Sequence, residues 1–212
     1  SYCLASETCG LDGMGAEFVR DVSPGEMVVI HPTGIKSYRV GEGVRGASCS
    51  FEYIYFARPD SVIDGTSVYE SRIKAGEVLF RDSPVAADLV VGVPDSGLPA
   101  AQGFANASGI ALSMGFVKNK YVGRSFIRPD ESHRHQVVSI KLNPLKHVIK
   151  NRRVVLVDDS IVRGTTIRRL VTLLRNAGAS EVHVRIASPI VKHSCYFGID
   201  TPFRRDLIST EK

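Results

Sequence analysis

The sequence predicts an α/β fold, in which a mostly parallel, twisted sheet is flanked by helices and preceded by a short β-rich segment. The first observation is a set of apolar stretches, ADLVVGV, VVLV and EVHVRIAS, which have the composition or the alternation of strands. The second is that segments with helical periodicity lie between them. Strands that alternate with helices form parallel sheets, because each crossover helix packs back onto a face of the sheet.

The bulk composition narrows the possible classes of protein. The chain has 212 residues, 43% of them hydrophobic, which is enough for one sizeable core. No apolar run approaches the roughly 20 residues of a membrane span, and the N-terminal SYCLASETCG does not look like a secretory signal. A net charge of +5 suits either nucleic acid or small phosphorylated ligands. Four cysteines without a CxxC pair favour a reducing cytoplasm.

Two domains are expected, over residues 1–45 and 46–212. The first is predicted to be β-rich, with an apolar run, Met27 to Ile30, between turns at Pro24–Gly25 and Pro32–Gly34. No helix is expected before that run. So short a segment buries little apolar surface by itself, which suggests the last strands of a larger unit. The second domain is expected to open with an aromatic-rich strand, CSFEYIYFARPDS, stopped by Pro59.

Helical periodicity marks three segments of the second domain. DGTSVYESRIKAGEVLF has four apolar residues on one helical face: Val68, Ala75, Val78 and Leu79. Small apolar residues over 98–107 suit a helix packed close to a sheet. The third helix is predicted over 163–177, with Gly178 at its C-terminal end. Its inner face is expected to carry Ile167, Leu170, Val171 and Leu174.

The remaining segments predict a loop and two further strands. GFVKNKYVGRSFIRPDESHRHQ is basic and lacks apolar periodicity, which indicates a long, mobile loop. QVVSIKL is predicted to return to strand. His183 alternates with Val182 and Val184, so we expect it on the outer face of the last strand.

Polar, glycine-containing loops follow two of the predicted strands. PDSG follows the strand ADLVVGV, and DDSIVRGTT follows VVLV. Ligands of open α/β sheets bind at the carboxyl ends of the strands. Asp158 and Asp159 suit a vicinal diol or a magnesium ion, and the hydroxyls and amides that follow suit a phosphate at a helix N-terminus. A sugar phosphate has both parts. The alternative, ordinary helix caps and turns, would explain an isolated Asp-Asp pair better than the whole string.

The whole string VVLVDDSIVRGTT resembles the phosphoribosyl pyrophosphate (PRPP) loop of type I phosphoribosyltransferases. ASETCGLDGMGAEFVRDVSPGEMVVI, FEYIYFARPDS, VGVPDSGLPAAQGFA, GFVKNKYVGRSFIRP and SPIVKHSCYFGID extend the match across the chain and resemble the amidophosphoribosyltransferase family. The resemblance implies a type I phosphoribosyltransferase fold after a remnant of an N-terminal nucleophile glutaminase domain. It also implies the first step of de novo purine synthesis: PRPP and ammonia from glutamine give 5-phosphoribosylamine and pyrophosphate.

The resemblance implies a role for each loop. Asp158 and Asp159 would hold the ribose hydroxyls and Mg²⁺, with Ser96 near the metal. The 5-phosphate would be cradled by Ser160, Arg163, Gly164, Thr165 and Thr166. Pyrophosphate would face Asp95, Ser96 and Gly97. The basic loop would close over PRPP with its catalytic residues Lys118, Tyr121 and Arg124, assisted by Lys120 and Arg128. The alternative is that this loop is only a solvated basic surface.

Two departures from the family pattern concern cysteines. The family's glutaminase nucleophile is an N-terminal cysteine, whereas this chain begins with Ser1, and Cys3 and Cys9 are expected to be ordinary, buried or half-buried thiols. Some members bind a [4Fe–4S] cluster through four cysteines. Cys49 and Cys195 match two of those positions, so we expect the parent protein to bind a cluster that this chain does not hold stably. Plain thiols in a cluster-free member are the alternative.

The implied partners are PRPP, pyrophosphate, ammonia or glutamine, and purine nucleotides as feedback inhibitors, in a homo-oligomer without nucleic acid or membrane. Three rival functions stay open at this point. One is a regulatory module that senses PRPP or a nucleotide, although no helix-turn-helix pattern is found. Another is a base-salvage phosphoribosyltransferase. The last is an inactive folded fragment.

Overall fold

The computed structural model describes residues 1–41, 43, 45–119, 142–198, 201 and 203–210. The chain divides into two compact units, Ser1–Tyr69 and Glu70–Lys212. Among the described residues, no helix is both long and apolar enough to cross a bilayer.

The first unit contains the predicted β-rich segment as a hairpin. Strands β1 (Glu26–His31) and β2 (Gly34–Arg39) pair antiparallel, with Ile30 opposite Ile35. The expectation that no helix precedes them is wrong, because Thr8–Asp12 forms the short helix α1. Glu7, which precedes α1, accepts hydrogen bonds from the Arg58 amide and the Ser61 hydroxyl, both at 2.8 Å. These contacts with residues about fifty positions away stabilise a helix that the local sequence does not predict.

The predicted aromatic strand is also wrong, since Glu52–Phe56 forms a π-helical turn. The amide of Ala57 donates to the carbonyl of Glu52 at 3.1 Å, which closes the wider turn. The rings of Phe51 and Tyr55 lie 6.3 and 5.7 Å from that of Phe56. The aromatic side chains therefore contact one another around a helical turn, and this packing overrides their strand propensity. Two two-residue strands follow, β3 (Val62–Ile63) and β4 (Thr66–Ser67).

The second unit contains the predicted parallel sheet. Its strands are β5 (Leu89–Gly92), β8 (Arg153–Asp158) and β9 (Glu181–Ile186), in the order β5-β8-β9 and all parallel. A separate antiparallel pair joins β6 (Phe116–Lys118) to β7 (Leu142–Pro144). Residues 116–118 are thus strand, where the sequence predicted loop. The rest of that predicted loop from residue 120, and QVVSIK of the following predicted strand, lie outside the described residues.

In the part of the chain that the structure describes, four helices accompany these strands: α2 (Val68–Asp82), α3 (Leu98–Ser108), α4 (Lys146–Ile149) and α5 (Thr165–Asn176). Short 3₁₀ turns at Arg204–Asp206 and Ile208–Thr210 follow β9. One face of the sheet packs Val91 and Leu156 with Leu170 and Leu174 of α5. The other packs Val90, Val155 and Val157 with Phe104 and neighbouring alanines of α3. The alternation along β5 and β8 therefore buries both faces under helices, as the sequence predicts.

The helix α2 is confirmed, and its predicted apolar face is partly right, since Val68 is 0% exposed and Leu79 packs against the core. Val78 is 42% exposed, whereas Arg72 and Gly76 are buried. A Cβ atom on Gly76 would overlap the backbone of Ala100, and one on Gly103 would overlap that of Ile73. The two glycines allow α2 and α3 to meet backbone to backbone, and this crossing sets which face of α2 is buried.

Candidate functional site

Two polar loops leave the sheet side by side at the carboxyl ends of β5 and β8. Gly92, the last residue of β5, pairs with Val157 of β8. The amide of Val93 then donates to the carbonyl of Val157 at 2.9 Å, so the pairing continues one residue beyond the strand. The loop over residues 94–97 therefore begins next to the loop over residues 159–164.

The first loop lies very close to the second because it ends in glycine. A Cβ on Gly97 would lie 2.8 Å from the carbonyl oxygen of Val157 and 3.1 Å from the Cα of Asp158. The Gly97 amide donates to the carbonyl of Val93 at 3.0 Å, and α3 begins at the next residue. The Pro94–Asp95 peptide bond is cis. Only a residue without a side chain fits this approach, which explains Gly97 in the PDSG motif.

The twin aspartates lie almost buried at the end of β8. Asp158 and Asp159 are each 7% exposed. One carboxylate oxygen of Asp159 accepts a hydrogen bond from the Ser96 hydroxyl at 2.9 Å. The other accepts one from the Ser160 hydroxyl at 2.7 Å. Asp159 thus joins the two loops through the side chain of Ser96.

Asp158 has a strongly perturbed acidity. Its burial, reinforced by the neighbouring charge of Asp159, raises the pKa of the Asp158 carboxyl to about 8. The Asp159 amide donates to Asp158 Oδ1 at 3.0 Å, which opposes part of this shift. A cation beside the two carboxyl groups would offset their mutual repulsion and favour the ionised form of Asp158.

The second loop ends at the N-terminus of the twelve-residue helix α5. Gly164 occupies the N-cap position with φ +76°, and no side chain caps the helix. Thr165 and Thr166 of the first turn are exposed, as is Arg163 just before it. The first amides of a helix have no partner within it and carry a partial positive charge, so they favour an anion.

Lys118 approaches the site from β6. Its ammonium forms an ion pair with the Asp95 carboxylate at 2.5 Å, with half of the lysine side chain exposed. The structure therefore places the Lys118 ammonium beside the first loop. Tyr121, Arg124, Lys120 and Arg128 lie outside the described residues.

The four cysteines of the chain are all free thiols. The expected burial is wrong for Cys3, which is exposed, whereas Cys9 is half-buried. Cys49 is exposed in the first unit, and Cys195 is half-buried in the second. The Phe197 amide donates to Cys195 Sγ at 3.4 Å. Within the described ranges, no three His, Cys, Asp or Glu side chains form a group that could by itself hold a metal ion.

Sequence reasoning missed the contacts that the segment after β9 makes with the end of β8 and the loop after it. The Ala187 and Ser188 amides donate to the carbonyls of Asp158 and Asp159 at 3.0 and 2.8 Å. The Ile208 amide donates to the carbonyl of Val162 at 2.9 Å. These are backbone contacts between distant residues, and no local pattern could have indicated them.

Comparison with known proteins gives one family and several close relatives. The family model described as "Phosphoribosyl transferase domain" matches residues 75–207. The amidophosphoribosyltransferase of Bacillus subtilis (strain 168) is 51% identical over 210 residues, which are 99% of this chain and 44% of the relative. That of Synechococcus elongatus is 53% identical over 211 residues, 100% of this chain and 43% of the relative. The chain spans less than half the length of these curated relatives.

A solved structure of a relative has a similar fold. Glutamine PRPP amidotransferase from B. subtilis, complexed with ADP and GMP, superposes with a TM-score of 0.88 at 51% identity. The match covers 98% of this chain and 46% of that one. The fold is thus shared with that protein over almost all of the present chain.

Proposed function

This chain belongs to the phosphoribosyl transferase domain family, and we propose that it is the phosphoribosyltransferase part of an amidophosphoribosyltransferase. The reaction joins ammonia to C1 of PRPP and releases pyrophosphate, the first step of de novo purine synthesis. In this proposal residues 1–45 are the closing strands of a glutaminase domain, and residues 46–212 form the phosphoribosyltransferase domain. Identity above 50% across the whole chain supports the assignment.

One observation carries the proposal: the hydrogen bond from Ser96 to Asp159 joins the loops that would hold the two ends of PRPP. The loop after β5 offers the Ser96 hydroxyl to pyrophosphate. The loop after β8 offers carboxylates to the ribose hydroxyls and, at Gly164–Thr166, a helix N-terminus to the 5-phosphate. A ligand with an anion at each end of a diol-bearing sugar matches this order of groups.

The residues present fit a magnesium ion that arrives with the substrate. Mg²⁺ is usually held by one or two carboxylates together with substrate phosphates and water. Asp158 and Asp159 supply the carboxylates, and Ser96 supplies a nearby hydroxyl. Among the described residues, no group of three or more His, Cys, Asp or Glu side chains could hold a metal ion. When bound, the ion would neutralise charge on the pyrophosphate. These three residues are our candidates for its environment.

The residues of the chain have separate tasks in the proposed reaction. As the bond to C1 breaks, negative charge grows on pyrophosphate, and groups placed at that position lower the barrier. Lys118 and Arg124 would supply positive charge there, and Tyr121 a hydroxyl. Lys118 would exchange its contact with Asp95 for one with the leaving group. Closure of the basic loop would exclude water, which otherwise competes with ammonia for C1.

The cysteines lead to a proposal about the longer protein. We propose that this chain uses free ammonia as the nucleophile. Cys49 and Cys195 are candidate ligands of a [4Fe–4S] cluster, which is held by four cysteine thiolates. Iron and sulfide in the anaerobically purified longer protein would support the cluster. Absence of both elements would contradict it.

Regulation and assembly belong to the same proposal. The B. subtilis structure is a complex with ADP and GMP. We extend this to purine nucleotides as inhibitors of the parent enzyme, acting in a cytoplasmic homo-oligomer.

The test is pyrophosphate release by the purified chain supplied with PRPP, Mg²⁺ and ammonium. Turnover with ammonium, none with free purine or pyrimidine bases, and a loss of at least about a hundredfold in Asp159→Asn would support the proposal. Binding of PRPP without turnover would contradict the proposed activity of this chain. Absence of PRPP binding would contradict the site itself.

A further inference from the structure

A turn near the end of the described chain contacts the back of the proposed phosphate loop. The turn is Ile208–Thr210, and the loop is Ser160–Gly164. The main-chain amide of Ile208 donates to the carbonyl of Val162 at 2.9 Å. The backbone of the loop is therefore fixed at its middle by a residue from a distant part of the sequence.

The side chain of Ile208 makes a second contact, at the N-cap of α5. An ideal Cβ on Gly164 would lie 2.6 Å from Ile208 Cδ1 and 3.5 Å from its Cγ1. The isoleucine thus occupies the space beside the Gly164 Cα, where a side chain would otherwise stand. Gly164 also has φ +76°, a conformation that residues with a side chain rarely adopt.

The turn is itself held in place. Leu207 is 1% exposed, and the Ile208 side chain is half-buried. The Ser209 hydroxyl donates to the carbonyl of Val191 at 2.6 Å, and the Thr210 hydroxyl to that of Leu207 at 2.7 Å. Ile208 therefore contacts the loop from a fixed support.

We propose that Ile208 is a positioning residue for the 5-phosphate of the substrate. By holding the backbone at Val162 and Gly164, it keeps the amides at the start of α5 aimed at the phosphate. It touches no substrate atom in this proposal. The inference rests on the proposed PRPP site and adds to it a residue that lies just beyond the family match, which ends at residue 207.

The experiment compares two ligand halves in the purified chain with Mg²⁺. Titration calorimetry measures affinity for ribose 5-phosphate, which occupies the loop that Ile208 supports, and for pyrophosphate, which occupies the loop after β5. Ile208→Ala is expected to weaken ribose 5-phosphate binding by about tenfold while changing pyrophosphate binding by less than about twofold, because misplacement of a binding group is costly only for its own ligand. Ile190→Ala is the matched control, since Ile190 is 71% exposed on the same segment.

A second variant, Ile208→Val, removes only Cδ1, the atom nearest to the Gly164 Cβ position. It tests the positioning role if the alanine variant is unstable. Its expected effect on ribose 5-phosphate is about two- to threefold in the same direction. Unchanged ribose 5-phosphate affinity in both variants would overturn the positioning role and leave the proposed function standing. Equal losses for both ligands would also overturn it, because they would indicate general destabilisation. No binding of either ligand by the unmodified chain would overturn the proposed function along with it.

Discussion

Ser96 and Asp159 are hydrogen-bonded at 2.9 Å although 63 positions separate them in the sequence. The contact exists because β5 and β8 are neighbours in the sheet and their loops start next to each other. This hydrogen bond connects the candidate pyrophosphate loop to the candidate ribose loop. A substitution in one loop is therefore expected to change how the other loop contributes to ligand affinity.

Coupling between these two residues can be measured with a double-mutant cycle. Ser96→Ala should weaken PRPP binding in the presence of Mg²⁺ by about fivefold, the effect of a hydrogen bond worth about 1 kcal/mol. In an Asp159→Ala background the same change should cost less than about twofold, because its partner is already gone. Calorimetric Kd values give the coupling. Ser180→Ala, at the far end of the sheet, is the control, and fully additive effects would contradict a direct link.

Lys118 is expected to matter for turnover and not for stability. Its ion pair with Asp95 is largely exposed, and such pairs stabilise proteins by about 0–1 kcal/mol. Lys118→Ala should therefore leave the free energy of unfolding within about 0.5 kcal/mol of the parent value, while ammonia-dependent kcat/KM falls about tenfold or more. Arg124→Ala should behave in the same way. Lys192→Ala serves as the control on an exposed lysine, and an unchanged kcat/KM in both variants would remove Lys118 and Arg124 from the mechanism.

Because α2 and α3 cross backbone to backbone, adding one methyl group at the crossing is expected to lower the stability of the fold strongly. Gly103→Ala places a Cβ against the carbonyl of Ile73, and the helices must move apart. We expect a loss of about 3 kcal/mol in the free energy of unfolding, at the upper end for overpacked sites. Gly46→Ala, whose Cβ would meet only Pro24 at an ordinary 3.6 Å, should change stability by less than about 0.5 kcal/mol. Urea unfolding measures both, and similar midpoints would contradict the backbone contact.

Asp88 and Arg153 predict part of the acid sensitivity of the fold. Hydrogen bonds from the Arg153 guanidinium and amide lower the pKa of the Asp88 carboxyl to about 2. Because the folded pKa lies below the ordinary value near 4, the pair stabilises the folded state above about pH 4 and loses this effect as the pH falls towards 2.

Asp88→Asn should therefore lower the thermal midpoint at pH 6 and have progressively less effect between pH 4 and pH 2. Melting curves across this range, followed by circular dichroism, provide the measurement. A deficit of the variant that stays constant down to pH 2 would show that the carboxylate charge plays no part. Asp82→Asn, on an exposed residue at the end of α2, is the control.

Local sequence patterns correctly predicted the elements in which the spacing of apolar residues matches the buried face. The apolar runs of β5 and β8 and the periodic face of α5 became strands and a helix of the expected kind. Glu52–Phe56 did not, because its aromatic rings contact one another around a helical turn that propensity does not describe. The buried face of α2 depends on where Gly103 of another helix lies, which the sequence of α2 does not contain.

The loops of the candidate site could be predicted, but their connections could not. Asp158, Asp159 and Gly97 stand in motifs that chemistry and resemblance both indicate. The hydrogen bond from Ser96 to Asp159 depends on the order of the strands in the sheet. The contact between Ile208 and Gly164 depends on the segment after β9 folding back against the loop after β8. Such pairings are set by tertiary structure, so one sequence read locally does not reveal them.

The order of the strands also has a kinetic consequence. Asp88 and Arg153, at the start of β5 and β8, are 65 positions apart, so these neighbours meet only after a long stretch of chain has closed on itself. In the proposed function both loops are needed to bind PRPP. During refolding, recovery of PRPP binding should therefore lag behind helix formation and report the moment at which β5 and β8 join.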